Sequence, residues 1–239
     1  MSRAGESDAY VPALRFHGLT AAYDSVARVA VREAAFKRAL LGEAQLQTGQ
    51  RVLDLGSGTG TLAILAKRAE RGAEVVGVDA DPGMARRAAR KAEAEGEDVE
   101  FVTADATDLP FATGSVDRVL STLFFHHLDD AGKRSCLAEV ARVLAADGEL
   151  HVADWGRAAS PLMWGLSWTV RLFDGLERTA PCFAGELPGL FEAAGLEDAR
   201  EGTVFATAFG SLRLYHARKA RLGPSQVGVP DSARRRRDR

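Results

Sequence analysis

The stretch Val52-Leu53-Asp54-Leu55-Gly56-Ser57-Gly58-Thr59-Gly60 decides the fold. A short apolar run stops near an aspartate and passes into three closely spaced glycines. Leu62, Ile64, Leu65 and Ala69 then follow at helical spacing, so the segment reads as strand, tight turn and helix. Glycines suit such a turn because the chain must adopt backbone angles closed to other residues and let a ligand approach the bare backbone. The turn aims the first amides of the helix at that ligand, where the positive end of the dipole favours a carboxylate or phosphate.

A Gly-x-Gly-x-Gly turn is shared by dinucleotide and nucleoside binders, and its surroundings discriminate between them. Asp54 lies two residues before the first glycine, where dinucleotide-binding dehydrogenases carry an apolar residue. Asp79 ends the next apolar run, Val75 to Val78, about 20 residues beyond the glycines, where a carboxylate can accept both hydroxyls of a ribose. Ala80 follows it directly. A third run, Glu100 to Thr103, ends in Ala104-Asp105-Ala106, a polar tip suited to an adenine edge. Three successive strand ends therefore offer a carboxylate.

In this order, Asp54-Leu55-Gly56-Ser57-Gly58-Thr59-Gly60, Gly77-Val78-Asp79, Asp105-Ala106-Thr107-Asp108-Leu109-Pro110-Phe111 and Ser115-Val116-Asp117-Arg118-Val119 resemble the class I S-adenosylmethionine-dependent methyltransferases. The resemblance spans roughly residues 20 to 218. It implies a doubly wound α/β fold with a mostly parallel seven-stranded sheet and an antiparallel last strand. It also implies S-adenosylmethionine as cofactor, held by Asp54, Gly56, Gly58, Gly60, Asp79, Ala80, Met84, Asp105, Ala106 and Ser121. The lid segment with Tyr23-Asp24 resembles the ubiquinone and menaquinone methyltransferase branch.

Composition agrees with one ordinary globular domain: 239 residues, 46% apolar and 27% charged. A net charge of −2 implies no general attraction to nucleic acid or an anionic membrane. Cys136 and Cys182 are too few and too far apart for a disulfide framework or a zinc site, which fits a reducing cytoplasm. The first residues lack the apolar core of a signal peptide, and no apolar run reaches the roughly 18 residues of a membrane span.

The expected organisation is a disordered start over 1–12, one domain over 13–222 and a basic disordered tail over 223–239. Within the domain, 13–48 form a helical lid, 49–154 the cofactor-binding core, and 155–222 a substrate wall with a final hairpin. In the lid, Phe16, Leu19, Tyr23, Val26 and Val29 begin a helical pattern. Asp81-Pro82 caps the helix whose face Met84, Ala88 and Ala92 line. The fourth strand, Val116 to Leu123, runs into Phe124-Phe125-His126-His127 and a helix capped by Asp129 or Asp130. Asp147-Gly148 turns into the fifth strand, Glu149 to Asp154. After it come Trp164 and Trp168, read together with Tyr23 as the wall over the substrate. A helix over Glu186 to Ala194 stops at Gly195. Two strands then meet across Gly210-Ser211.

Methyl transfer from a sulfonium releases a neutral leaving group, so the protein mainly aligns donor and acceptor and excludes water. A base matters where the acceptor sheds a proton, and His126 and His127, just past the fourth strand, are the candidates. Asp154 at the neighbouring tip can orient one imidazole and stabilise its protonated form. A metal is not expected, because tandem histidines point their rings apart and no further ligand stands at a useful spacing. His151 and His17 read as packing residues.

Amino-group methylases of nucleic acid or protein glutamine resemble one another in an Asn/Asp-Pro-Pro-Tyr turn, and Ser121-Thr122-Leu123-Phe124 stands in its place. The expected partner is thus a small hydrophobic or aromatic acceptor, with neither nucleic acid nor membrane insertion. Two rivals stay open: a protein that binds the cofactor without turnover, and an NAD-dependent reductase. The reductase is opposed by Asp54 and the hairpin ending.

Overall fold

The structure is a computed structural model, described here over residues 33–220. Tyr23, His17, the rest of the expected lid before residue 33, and the basic tail lie outside the described residues. The chain runs α1 (Glu33–Ala44), β1 (Arg51–Leu55), α2 (Thr61–Ala69), β2 (Glu74–Asp79), α3 (Pro82–Ala94), β3 (Glu100–Thr103) and β4 (Val116–Thr122). A single 3-10 turn (Phe125–His127) leads to α4 (Asp130–Val143), β5 (Leu144–Trp155), α5 (Pro161–Asp174), α6 (Leu176–Ala184), α7 (Leu187–Ala193), β6 (Leu196–Thr207) and β7 (Gly210–Lys219).

These strands form a seven-stranded sheet in the order β3-β2-β1-β4-β5-β7-β6. β1 pairs in parallel with β2 and β4, β2 with β3, and β4 with β5, whereas β7 runs antiparallel to both β5 and β6. The expected doubly wound sheet with one reversed strand is therefore present. Val52, Leu53, Leu55, Val75, Val76, Val78, Val119 and Leu120 are all buried, as the continuous apolar runs of a sheet covered on both faces require. Strand order reverses direction between β1 and β4. Beyond their carboxyl ends lies the crevice where sheets of this kind bind ligands.

Helix starts follow their caps. Asp81 accepts the Gly83 amide at 2.6 Å with Pro82 in the first turn, and Asp129, rather than Asp130, caps α4 by accepting from Gly132 at 2.7 Å. The buried face of α3 is Ala85, Ala88 and Ala92, so Met84 stands one residue off it and is half-buried. Small residues on that face let the helix approach the glycine turn. A Cβ on Gly60 would lie 2.8 Å from the Ala88 methyl and 2.6 Å from the Phe101 ring.

Three connections differ from the expectation. The Asp147-Gly148 turn is an irregularity inside a longer β5: Val116 pairs with Leu144 and Arg118 with Glu149, and Asp147, at φ 62, lies in the excess between them. The final hairpin turns at Ala208-Phe209, because Thr207 pairs with Gly210. The Thr207 hydroxyl accepts the Phe209 amide at 3.0 Å and donates to the Gly210 carbonyl at 2.8 Å, which closes the turn two residues early. Gly210 belongs to β7, where a Cβ would crowd Ser167 of α5 at 3.1 Å. Third, α6 has no counterpart in the expected organisation; it begins after Gly175, at φ 95, and carries Pro181 within it.

Candidate active site

At the tip of β2 the Asp79 carboxylate clamps the glycine turn. One oxygen accepts the Gly58 amide at 2.8 Å and the other the Asp81 amide at 2.9 Å. Gly58 itself, at φ 52, has nothing among the described residues within 4 Å of where a Cβ would be. Beside it the Ser57 hydroxyl is buried without a partner among the described residues. An open backbone edge, a carboxylate at the tip of the neighbouring strand and an unsatisfied buried hydroxyl are groups that can receive an adenosine-bearing ligand across the turn. Ser57 was not singled out from sequence, where a serine between glycines reads as turn filler.

The other expected cofactor residues divide by orientation. Asp105 is exposed at the tip of β3, one oxygen accepting both the amide and the hydroxyl of Thr107 at 2.8 Å, with buried Ala106 behind it. Ala80 is exposed beside Asp79, and Met84 is half-buried on the first turn of α3. Asp54 is turned inward, only 1% exposed, and accepts the Ala63 amide at 2.9 Å, so it braces the start of α2 from below. Burial pushes its carboxyl up to about 7, against the opposing pull of Lys37 and the Ala63 amide. Ser121, expected at the cofactor, is instead fully buried, its hydroxyl donated to the Leu55 carbonyl at 2.9 Å across the β1–β4 seam. A side chain pointing into the sheet does not reach the open end.

Beyond β4 the chain bends at Leu123, a leucine held at φ 53 while its amide donates to the Ala153 carbonyl at 2.8 Å. Left-handed backbone at a bulky residue costs on the order of 1–3 kcal/mol and marks a position the surroundings enforce. The bend lays the Phe124 ring on Gly56, where a Cβ would come within 2.3 Å of it. It then carries the chain into a 3-10 turn that bears His126 and His127.

Asp154, at the end of β5 and wholly buried, organises that turn. One oxygen accepts the Phe124, Phe125 and His126 amides at 3.2, 2.8 and 3.4 Å; the other accepts the Trp155 amide and faces His126 Nδ1, both at 2.7 Å. Burial alone would lift this carboxyl, but the charge and hydrogen bond of His126 and the Trp155 amide outweigh it and hold it below the ordinary carboxylate value. An ionised Asp154 can only accept, so Nδ1 of His126 carries the proton and Nε2 faces the crevice.

The two imidazoles do not diverge as the tandem spacing implied. Their centroids are 4.0 Å apart at 42° on the 3-10 turn. Asp174, from the far end of α5, comes within 3.7 Å of His126 Nε2 and 3.9 Å of His127 Nδ1. Partial burial, with the neighbouring His126, lowers the pKa of His127, whose side chain keeps 37% of its surface. Burial also raises Asp174. No sequence pattern links Asp174 to the histidines; only the packing of α5 across the strand ends does so.

Of the residues expected to form the wall, Trp164 and Trp168 lie together on α5. Trp164 is half-exposed, meets Trp168 edge-on at 5.7 Å, and lines a cavity of about 260 Å³ with Ser167, Arg171 and Phe183. Phe183 stacks on Trp155, and the Arg171 guanidinium lies 4.8 Å from the Trp168 ring. His151 packs in the sheet, facing Glu149 at 2.9 Å and, across β5 and β7, His216. Among the described residues no helix is long and apolar enough to cross a membrane.

The sheet is Rossmann-like, ends in an antiparallel strand and carries a carboxylate-clamped glycine turn at its switch point. Residues 52–148 match the family model described as a methyltransferase domain. The chain is 40% identical over 144 residues to the demethylmenaquinone methyltransferase of Thermus thermophilus; the match covers 60% of this chain and 62% of that relative's length. By structure it is similar to the YcgJ protein of Bacillus subtilis, with a TM-score of 0.64 at 20% identity over 78% of this chain and 99% of that one. It is also similar to a phosphoethanolamine N-methyltransferase of Haemonchus contortus solved in complex with S-adenosyl-L-methionine, with a TM-score of 0.62 at 19% identity over 78% of this chain and 53% of that one.

Proposed function

We propose that this chain transfers a methyl group from S-adenosylmethionine to a small, hydrophobic or aromatic acceptor, a quinone precursor being the first candidate. The observation that carries the reading is the clamp between Asp79 and Gly58, which holds the open glycine edge beside a ribose-seeking carboxylate. The methyltransferase-domain match over that same stretch supports it, and the demethylmenaquinone methyltransferase relative supports the acceptor class.

Bound S-adenosylmethionine supplies an electrophilic methyl group on a positively charged sulfur. The chain's own part is alignment and exclusion of water, which contribute roughly 7–11 kcal/mol where geometry is favourable. Asp79 would take the ribose hydroxyls, the Gly58 edge would lie against the amino-acid portion, and Asp105 with Ala106 would meet the adenine. Phe124 packs on Gly56, and Trp155 lies between His126 and Phe183. At the strand tips His126 directs Nε2 at the acceptor, fixed in that tautomer by Asp154, so that it can bind the acceptor's oxygen or take its proton. The cavity lined by Trp164 and Phe183, with Trp168 edge-on to Trp164, suits a flat apolar molecule.

The test is incubation of purified protein with S-adenosylmethionine and demethylated quinol precursors, followed by product mass. A gain of one methyl together with release of the demethylated cofactor supports the reading. Tight cofactor binding without turnover on any such acceptor would favour the cofactor-holding alternative. Binding of a nicotinamide dinucleotide in place of S-adenosylmethionine would overturn it.

A further inference from the structure

The convergence of His126, His127 and Asp174 exceeds what acid-base work requires of one imidazole. We infer that these three residues form a binding site for a single divalent transition-metal ion of the zinc class, at the acceptor end of the crevice. Their donor atoms all lie within 4.8 Å of one another. The separations from Asp174, 3.7 and 3.9 Å, are too long for hydrogen bonds. The 3.7 Å separation reaches Oδ2 and the 3.9 Å separation Oδ1, so both carboxylate oxygens face the imidazoles, and the set must draw in toward the about 3.4 Å that separates ligands around a tetrahedral ion with bonds of about 2.1 Å. Two imidazoles and a carboxylate with a further position open form a recurring donor set for catalytic zinc and non-haem iron.

The partner held by His126 points the same way. A ligating histidine needs its other nitrogen tied to a carboxylate or carbonyl, and Asp154 does this for His126 at 2.7 Å, leaving Nε2 as the donor. Asp154 and Asp174 together offset a divalent charge. Of the two cations that act on His127, Arg178 and Lys133, the lysine donates to the Leu128 and Arg178 carbonyls. Access also fits: His126 is buried, while the His127 and Asp174 side chains keep 37% and 21% of their surface. A second cluster, Glu149, His151 and His216, lacks these features. Its glutamate faces Arg118 at 3.7 Å, and Nδ1 of both histidines is buried without a partner among the described residues.

An ion at the first cluster would bind an acceptor oxygen and lower its pKa, so that the proton leaves to solvent; without the ion, Nε2 can take that proton directly. The inference rests on the crevice described above but not on turnover, because metal binding is read with neither cofactor nor acceptor present. The experiment uses the full chain, freed of tags and stripped with a chelator, then titrated with Zn²⁺ and with Co²⁺. A single equivalent by calorimetry and elemental analysis is expected, with the visible absorption of four- or five-coordinate Co²⁺. His127→Ala and Asp174→Asn should each weaken binding at least about tenfold with an unchanged circular dichroism spectrum, and Asp154→Asn by about 10–100-fold. His216→Asn should leave the affinity as it was. Absence of binding, or binding that survives both His127→Ala and Asp174→Asn, would overturn the site. S-adenosylmethionine affinity, measured on the same samples, reports separately on the methyl-transfer reading.

Discussion

The Asp79 carboxylate and the Gly58 amide are joined at 2.8 Å, so the tip of β2 sets the shape of the turn that follows β1. One carboxylate thus holds the glycine edge and, under the proposed function, would also take the ribose hydroxyls. Asp79→Ala should weaken S-adenosylmethionine binding by about 1–3 kcal/mol, or roughly 5- to 150-fold, measured by calorimetry. Unchanged affinity would remove Asp79 from the ribose.

Gly56 and Gly58 should separate stability from binding. A methyl at Gly56 meets both a left-handed backbone, φ 69, and the Phe124 ring at 2.3 Å, so Gly56→Ala should destabilise by about 2–4 kcal/mol in urea unfolding. At Gly58 the methyl meets open space, and only the backbone penalty of about 1 kcal/mol applies. Gly58→Ala should therefore fold but lose cofactor affinity, because its methyl projects where the ligand must lie.

Asp154→Asn tests the turn and the imidazole together. The amide keeps the size of the carboxylate but places an N–H against one of the donors now facing Asp154, costing about 1.5–3 kcal/mol in stability. Turnover should fall by about 10² or more while cofactor affinity stays close to wild type. Because the Asp154 carboxyl is depressed, its contribution is present above the unfolded value near 3.8 and is lost as pH falls through the folded value. The stability gap between wild type and Asp154→Asn should accordingly shrink in acid.

Asp54 has the opposite sign. Its folded value of about 7 lies above the ordinary 3.8, so its favourable contribution is complete below about pH 4 and is lost as pH rises through 7. Asp54→Asn retains an acceptor for Ala63 but cannot ionise. Denaturant unfolding at pH 5 and pH 8 should show the variant gaining on wild type at the higher pH, by a few kcal/mol at most. Parallel pH profiles would place Asp54 in a solvated setting.

Trp164→Ala should raise the acceptor KM a few-fold, since one aromatic face is worth about 0.5–1.5 kcal/mol, while leaving cofactor affinity alone. Trp164 is 54% exposed, so stability should barely change.

The strands, the glycine turn and its flanking acids were legible in the sequence because each follows from local rules. Continuous apolar runs from Val52 and Val75 report strands covered on both faces, closely spaced glycines report a turn, and Asp81-Pro82 reports a helix start. Even the antiparallel ending was foreshadowed by two strand-like runs with a glycine between them. What local rules could not supply was side-chain direction and partnership. Ser121 and Asp54 sit at the expected strand ends but point inward. Thr207 outcompetes Gly210-Ser211 for the hairpin turn through hydrogen bonds that depend on the strand register. Asp174 is far from the histidines in sequence and meets them only because α5 crosses the strand tips. The sequence by itself determined the sheet and the placing of its polar tips, since burial pattern and backbone freedom are properties of short segments. Only the tertiary structure decided which tips face the crevice and which groups converge there, because those contacts join distant segments whose meeting depends on how the whole chain packs.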